Sequence, residues 1–141
     1  MPRLTALLIV LLACALPASA AAAPVDEIDP MVGTAPPGFV VPGAVVPFGM
    51  VQNSPDTEGE FAYSGYLSTD PTIRGFSLVH LSGPGVRKAG DLPFMPTPDP
   101  AVANAPFSKA AEHAEAGYYR VTLGTGVEVE LTASTHAAMQ R

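Results

Sequence analysis

The segment Asp29–Thr57, DPMVGTAPPGFVVPGAVVPFGMVQNSPDT, constrains this chain more than any other part of it. It is rich in proline and glycine and yet apolar, which excludes both a regular helix and a solvated linker. Pro30, Pro36, Pro37, Pro42, Pro47 and Pro55 each fix φ and remove a backbone donor, while Gly33, Gly38, Gly43 and Gly49 open conformations closed to other residues. Between them Val40, Val41, Val45, Val46, Phe48, Met50 and Val51 supply apolar surface to anchor the segment in a core. A shaped, anchored loop of this kind presents its backbone to something.

Residues 1–20 read as a secretory signal, with Arg3 as the positive region, Leu4 to Leu16 as the apolar region and Ala18-Ser19-Ala20 as the cleavage site. Cleavage is also possible as far as Ala23. The apolar run is too short to span a bilayer, which takes about 20 such residues. Leu11-Leu12-Ala13 before Cys14 permits a lipoprotein anchor as the alternative, but small residues continue past Cys14 to a better cleavage site. The expected location is therefore secreted or periplasmic. Cys14 is the sole cysteine, so residues 24–141 hold no disulfide and depend on burial for stability. A formal charge of −6 argues against nucleic acid and anionic membranes as partners.

Few windows of the chain avoid proline and glycine long enough for a helix, and the best candidate is the short stretch Lys109–Ala116. Ala44–Gln52 and Ile73–Leu81 read as half-buried strands, the second with Phe76, Leu78 and His80 on one parity. Leu92–Met95 reads as a short edge strand. The clearest pattern is a β-hairpin from Tyr119 onward, with Gly124-Thr125-Gly126 as a three-residue loop and Gly126 in its left-handed position. Its register places Leu123 opposite Val127, Val121 opposite Val129, Tyr119 opposite Leu131 and Arg120 opposite Glu130. The apolar face of such a hairpin needs a second layer, which predicts an all-β antiparallel β-sandwich. The elaborate loops at 82–91 and 96–108 and the abrupt end after the hairpin point to the front part of a larger protein.

The blocks DPMVGT, VPGAVVPFGMVQNSPDT, GFSLVHLSGPG, GDLPFMPT, EHAEAGYYRVTL and VEVELTAS follow one another in order. Together they resemble the start of glycoside hydrolase family 92, the calcium-dependent exo-α-mannosidases, from about Val25 to Arg141. The resemblance implies that residues 24–141 are the incomplete N-terminal part of a sandwich domain that precedes an (α/α)6 barrel. It implies inverting hydrolysis of terminal α-mannosides by the parent enzyme, with the catalytic carboxylates and most Ca²⁺ ligands in the barrel. Partners would be α-mannose-containing glycans and the missing C-terminal barrel. This chain would then hold no catalytic residue and no metal ligand, and would supply scaffold and part of the pocket wall. Departures from the family wording are Ala35-Pro36-Pro37-Gly38-Phe39 in place of a histidine-rich stretch, Leu78 in place of a histidine, and Gly83-Pro84-Gly85-Val86 without a cysteine.

The candidate pocket residues are Gly33, Thr34, His80, Gly83, Gly85 and Asp91. Gly33 and Thr34 can offer backbone N–H groups to sugar hydroxyls, because glycine lets main chain approach closely; a plain connecting turn is the alternative. His80 stands at a strand end, as a site residue or as a packed residue bonded to a neighbouring loop. Asp91 either braces the loop before it or points at substrate. Asp56, between Pro55 and Thr57, reads as a turn residue whose carboxylate bonds its own backbone. Glu112 and His113 are adjacent, a poor spacing for one metal ion. Glu58, Glu60, Asp99, Glu115, Glu128 and Glu130 read as solvated. A self-contained carbohydrate-binding sandwich without catalysis is the alternative function, and the absence of tryptophan weighs against it.

Overall fold

The computed structural model describes residues 23–37, 39–83 and 90–141. The leader, Cys14 and Gly85 lie outside the described residues. After a single 3₁₀ turn at Pro24–Glu27 the described residues form nine strands and no α-helix. These are β1 (Ala44–Val45), β2 (Gln52–Thr57), β3 (Thr72–Ser77), β4 (Val79–His80), β5 (Gly90–Asp91), β6 (Ala105–Glu115), β7 (Tyr118–Leu123), β8 (Glu128–Ala133) and β9 (Ala138–Gln140). All pairings are antiparallel, in a seven-stranded sheet ordered β1-β2-β3-β6-β7-β8-β9 and a separate β4–β5 pair. The fold is all-β, as the alternation of apolar residues requires.

The hairpin forms in the register that its apolar face dictates. Tyr119 pairs with Leu131, Arg120 with Glu130 and Val121 with Val129, while Gly126 takes φ 85° and the Leu123 N–H donates to the Val127 carbonyl at 2.9 Å. A slip by one residue would turn Tyr119, Val121 and Leu131, all buried, toward water. Glu130 does not rely on Arg120: its carboxylate accepts the Tyr118 hydroxyl at 2.7 Å and pairs with Arg141.

The long sheet closes over itself. Strand β6 pairs with β3 at Ala105–Pro106 and with β7 from Phe107 onward, so it carries the chain from one layer to the other. Ile73 and Phe76 from β3 and Ala44 from β1 meet Tyr119, Val121, Val129 and Leu131 in one cluster. Each large member stabilises the fold by about 1.5–3 kcal/mol through burial. Buried Asn53 of β2 fastens the layers: its amide donates to the carbonyls of Thr132 (3.3 Å) and Met139 (3.1 Å), and its oxygen accepts from Gln140 (2.8 Å).

Three local expectations are corrected. Ala44–Gln52 is not one strand: β1 ends at Val45, and the chain folds back so that Ala44 faces Asn53. Pro47 and Gly49 make this a tight turn, closed by the Gly49 N–H on the Val46 carbonyl at 2.9 Å. Lys109–Ala116 is not a helix but most of β6, because Gly117 (φ 80°) lets the chain reverse into β7 and the pairing partners Arg120 and Tyr119 lie directly opposite His113 and Ala114. The Ile73–Leu81 strand breaks at Leu78, where the backbone leaves β3 and the Leu78 N–H turns to the Asp91 carbonyl at 3.3 Å. Leu92–Met95 does form an edge contact, with Phe94 and Phe76 exchanging hydrogen bonds of 2.9 and 2.8 Å.

Phe48, in the β1–β2 turn, has φ 59° and is 102% exposed. A left-handed conformation costs a non-glycine residue about 1–2 kcal/mol, and here no packing of the ring offsets it. Phe48→Asn is therefore expected to raise stability by roughly 0.5–1 kcal/mol, since asparagine tolerates this conformation. The urea midpoint of the purified chain reads the change, and a lower midpoint would show that the ring holds something in place.

Candidate functional site

Gly33 and Gly83 are brought together through Phe39. The Phe39 N–H donates to the Gly33 carbonyl at 3.3 Å, and the Gly83 N–H donates to the Phe39 carbonyl at 2.7 Å. Gly33 (φ 87°) and Gly83 (φ 103°) both need the left-handed region, and nothing stands within 4 Å of where a Gly83 side chain would begin. Along this rim the backbone is open at Gly83, whereas a Cβ on Gly33 would lie 2.9 Å from Val40 Cγ2. The Phe39 ring lies 5.6 Å from Tyr63, which lies 6.4 Å from half-exposed Phe61, both pairs tilted. Tilted pairing at such distances suits the ring quadrupoles.

Thr34 belongs to the frame of this rim and does not line its surface. It is buried, its hydroxyl donates to the Met31 carbonyl at 2.7 Å, and its own carbonyl accepts the Ser68 N–H at 2.9 Å. Asp91 sits on β5 opposite Val79 with its side chain exposed.

His80 is buried and both ring nitrogens are engaged, Nδ1 with the Gln52 carbonyl at 2.8 Å and Nε2 with Asp56 Oδ1 at 3.0 Å. A carbonyl can only accept, so Nδ1 carries a proton. Asp56 is not a turn residue bonding its own backbone. It lies in β2, fully buried, where Ser77 donates to Oδ2 and the Arg74 guanidinium stands 3.6 Å from Oδ1. The expectation fails because Pro55 fits within β2. The opposing Phe76 turns its N–H and carbonyl to Phe94, so no ladder bond to Pro55 is lost. Two glycines admit the Asp56–His80 pair. A Cβ on Gly65 would lie 2.8 Å from His80 Cδ2, and one on Gly90 would lie 2.8 Å from the Asp56 carboxyl carbon. Serine, aspartate and histidine meet here without forming a nucleophilic triad, since Ser77 bonds the carboxylate and not the imidazole.

Two further polar clusters escape a local reading of the sequence. Asp70 takes the Thr57 hydroxyl at 2.5 Å and the Gly59 N–H at 2.8 Å, closing the loop that carries Phe61 and Tyr63. Glu112 turns inward from β6 and accepts the hydroxyls of Tyr66 (2.6 Å) and Tyr119 (2.7 Å). Burial first, and then the Glu112 charge, push both phenols well above the usual tyrosine range. His113, the next residue along the strand, faces outward near Glu115, so adjacency places Glu112 and His113 on opposite faces and separates them as ligands. Among the described residues no group of three or more histidine, cysteine, aspartate or glutamate side chains is placed to share a metal ion.

The family model for the glycosyl hydrolase family 92 N-terminal domain matches residues 27–141. This chain belongs to glycoside hydrolase family 92. A fungal relative, described as an uncharacterized secreted glycosidase of Arthroderma benhamiae, is 34% identical over 124 residues, covering 79% of this chain and 16% of its own length. A family GH92 α-mannosidase of Bacteroides thetaiotaomicron, solved with mannoimidazole, is 36% identical with a TM-score of 0.72, over 82% of this chain and 17% of that one. A second solved GH92 glycosyl hydrolase, ccman5, is 30% identical with a TM-score of 0.71, over 80% of this chain and 18% of the other. The family 92 chain therefore spans less than a fifth of the length of these relatives. No helix among its described residues is long and apolar enough to cross a membrane.

Proposed function

We propose that this chain is the N-terminal sandwich portion of a secreted exo-α-mannosidase, and that it forms scaffold and one wall of the sugar pocket. The observation that carries this reading is the rim itself: Gly33 and Gly83 tied through Phe39, with open space at Gly83, beside the Phe39–Tyr63–Phe61 rings. Aromatic faces are the complements of sugar C–H faces. His80, Asp56 and Thr34 are buried framework residues, and Asp91 is exposed on β5. The alternative of an independent sugar-binding module has the same rim but no need for the other four-fifths of its relatives' length.

The hydrolytic chemistry belongs to parts of the enzyme outside this chain. Inverting hydrolysis needs two free carboxyls about 6.5–9.5 Å apart with water between them. The buried carboxylates are engaged within the fold, Asp56 with Ser77 and His80, Asp70 Oδ2 with Thr57 and Gly59, and Glu112 Oε1 with Tyr66 and Tyr119. Calcium takes six to eight oxygen ligands, and no group of three or more histidine, cysteine, aspartate or glutamate side chains among the described residues is placed to share one. Ca²⁺ would be held mainly outside this chain, and no step is assigned to it here.

The longer polypeptide that continues from this domain is expected to release an aryl group from an aryl α-mannoside and to lose that activity in EGTA. Residues 24–141 alone are expected to show none. Turnover that scales with the concentration of the short chain, or calcium-insensitive turnover by the long one, would overturn the proposal.

A further inference from the structure

Phe48 combines a left-handed backbone, φ 59°, with a ring that is 102% exposed. Glycine or asparagine would make the same turn with less strain. A strained position that presents a bare aromatic ring points to recognition, because such rings dominate the energy of an interface once a partner covers them. The ring also stands beside a groove of about 490 Å³. Val25 and Ile28, at least half exposed, line it from the N-terminal turn, and Val41, Val45 and Val46 line it around β1. Segments distant in sequence thus combine into one apolar surface, the kind that marks an interaction site.

The charges around this groove are of one sign. Glu115 of β6 lines it, and the cleft alongside is shared by Glu115 and Asp26. Glu27 and Asp29, both exposed, lie on the same N-terminal stretch. These carboxylates are engaged only lightly. Glu115 is 62% exposed with His113 at 3.5 Å, and Asp26 and Asp29 accept the backbone N–H groups of Ala23 and Met31 at 2.9 Å. Among the described residues no lysine or arginine lines the groove.

That sign selects the occupant. A second copy of this chain would bring the same carboxylates across a two-fold axis, and like charges brought together oppose association. The fitting partner has an apolar face flanked by lysine or arginine. A source is at hand in the family, since this chain covers only 16% and 17% of the length of two of its relatives.

We infer that the Phe48 groove is a docking surface for a basic, apolar-faced segment of the longer family 92 polypeptide. The segment covers the Phe48 ring, and its cations meet Glu115 and Asp26. This rests on the reading of the chain as the N-terminal portion of a larger enzyme, but it concerns other residues than the Gly33–Gly83 rim.

Hydroxyl-radical footprinting, read by peptide mass spectrometry at matched dose, compares the purified 141-residue chain with the longer polypeptide that continues from it. Phe48 is expected to be modified about tenfold more slowly in the longer polypeptide, because a docked segment shields the ring from solvent. Glu115→Lys is expected to raise that slow rate about threefold by setting like charges against each other, and Glu115→Gln to raise it less. In the short chain Glu115→Lys is expected to leave Phe48 labelling unchanged, which also shows that the variant keeps its fold. Equal labelling of Phe48 in the two wild-type polypeptides overturns the inference. Protection in the short chain that disappears on dilution overturns it too, by seating a second copy in the groove. Protection in the longer polypeptide that Glu115→Lys leaves untouched overturns the basic character of the occupant. Turnover of an aryl α-mannoside scores the glycosidase reading separately: a shielded Phe48 in an inactive long polypeptide supports the docking surface alone, and an active one with Phe48 fully labelled supports the glycosidase alone.

Discussion

Asp56→Ala is expected to cost about 3–5 kcal/mol of folding stability, the loss typical of breaking a buried ion pair from one side. The substitution strips three partners from two elements at once. His80 of β4 loses the acceptor facing Nε2 at 3.0 Å, Arg74 of β3 loses a carboxylate at 3.6 Å, and the Ser77 hydroxyl loses its bond. None of these groups can turn to water, since His80 and Ser77 are buried and Arg74 is mostly covered. Asp56→Asn has a milder expected effect of about 1–2 kcal/mol. Its amide N–H can donate to an unprotonated Nε2 while Nδ1 keeps its bond to the Gln52 carbonyl at 2.8 Å. Urea denaturation followed by far-ultraviolet circular dichroism reads both variants. Equal losses for alanine and asparagine would mean that the carboxylate's charge, and not the hydrogen-bond geometry, dominates. A loss below about 1 kcal/mol for alanine would mean that the cluster is not what holds β2, β3 and β4 together.

That cluster marks where the sequence stops being legible. The β7–β8 hairpin can be read residue by residue because its information is local: an alternation of period two, a glycine-bearing loop, and two apolar faces that match in a single register. The glycine-rich rim is half legible. Gly33 and Gly83 stand out as candidate pocket glycines, but the sequence does not reveal that both are left-handed or that Phe39 joins them by hydrogen bonds of 3.3 and 2.7 Å. Asp56 and His80 are 24 positions apart, and Tyr66 and Glu112 are 46 apart. Such pairs are made by topology, after the strands have chosen partners, and leave no trace in periodicity. Asp56 is illegible for a related reason: the composition Pro-Asp-Thr favours a turn, and the pairing of Phe76 with Phe94 makes a strand proline harmless there. Lys109–Ala116 looked helical because alanine and glutamate are good helix formers, and cross-strand pairing with β7 overrides so short a preference.

Gly90→Ala is expected to destabilise the chain by about 1–3 kcal/mol through overpacking, although it adds one methyl group to a residue outside the main sheet. The added carbon would lie 2.8 Å from both the Asp56 carboxyl carbon and the Ser77 hydroxyl oxygen, and closer still to Oδ1. A free side chain would swing aside. This carboxylate is fastened to Ser77 and His80, so the strain must pass to the β4–β5 pair, where Gly90 faces His80. The same change is expected to cost less in an Asp56→Ala background, where the obstructing atoms are gone. That non-additivity is the diagnostic, because contacting residues couple by about 0.5–3 kcal/mol whereas distant ones add. A urea midpoint series on the wild type, the two single variants and the double variant gives the coupling directly. Strict additivity would place Gly90 away from the carboxylate and remove the reason for glycine at this position. A clear coupling would show that the backbone leading to exposed Asp91 is seated against the buried Asp56–His80 pair.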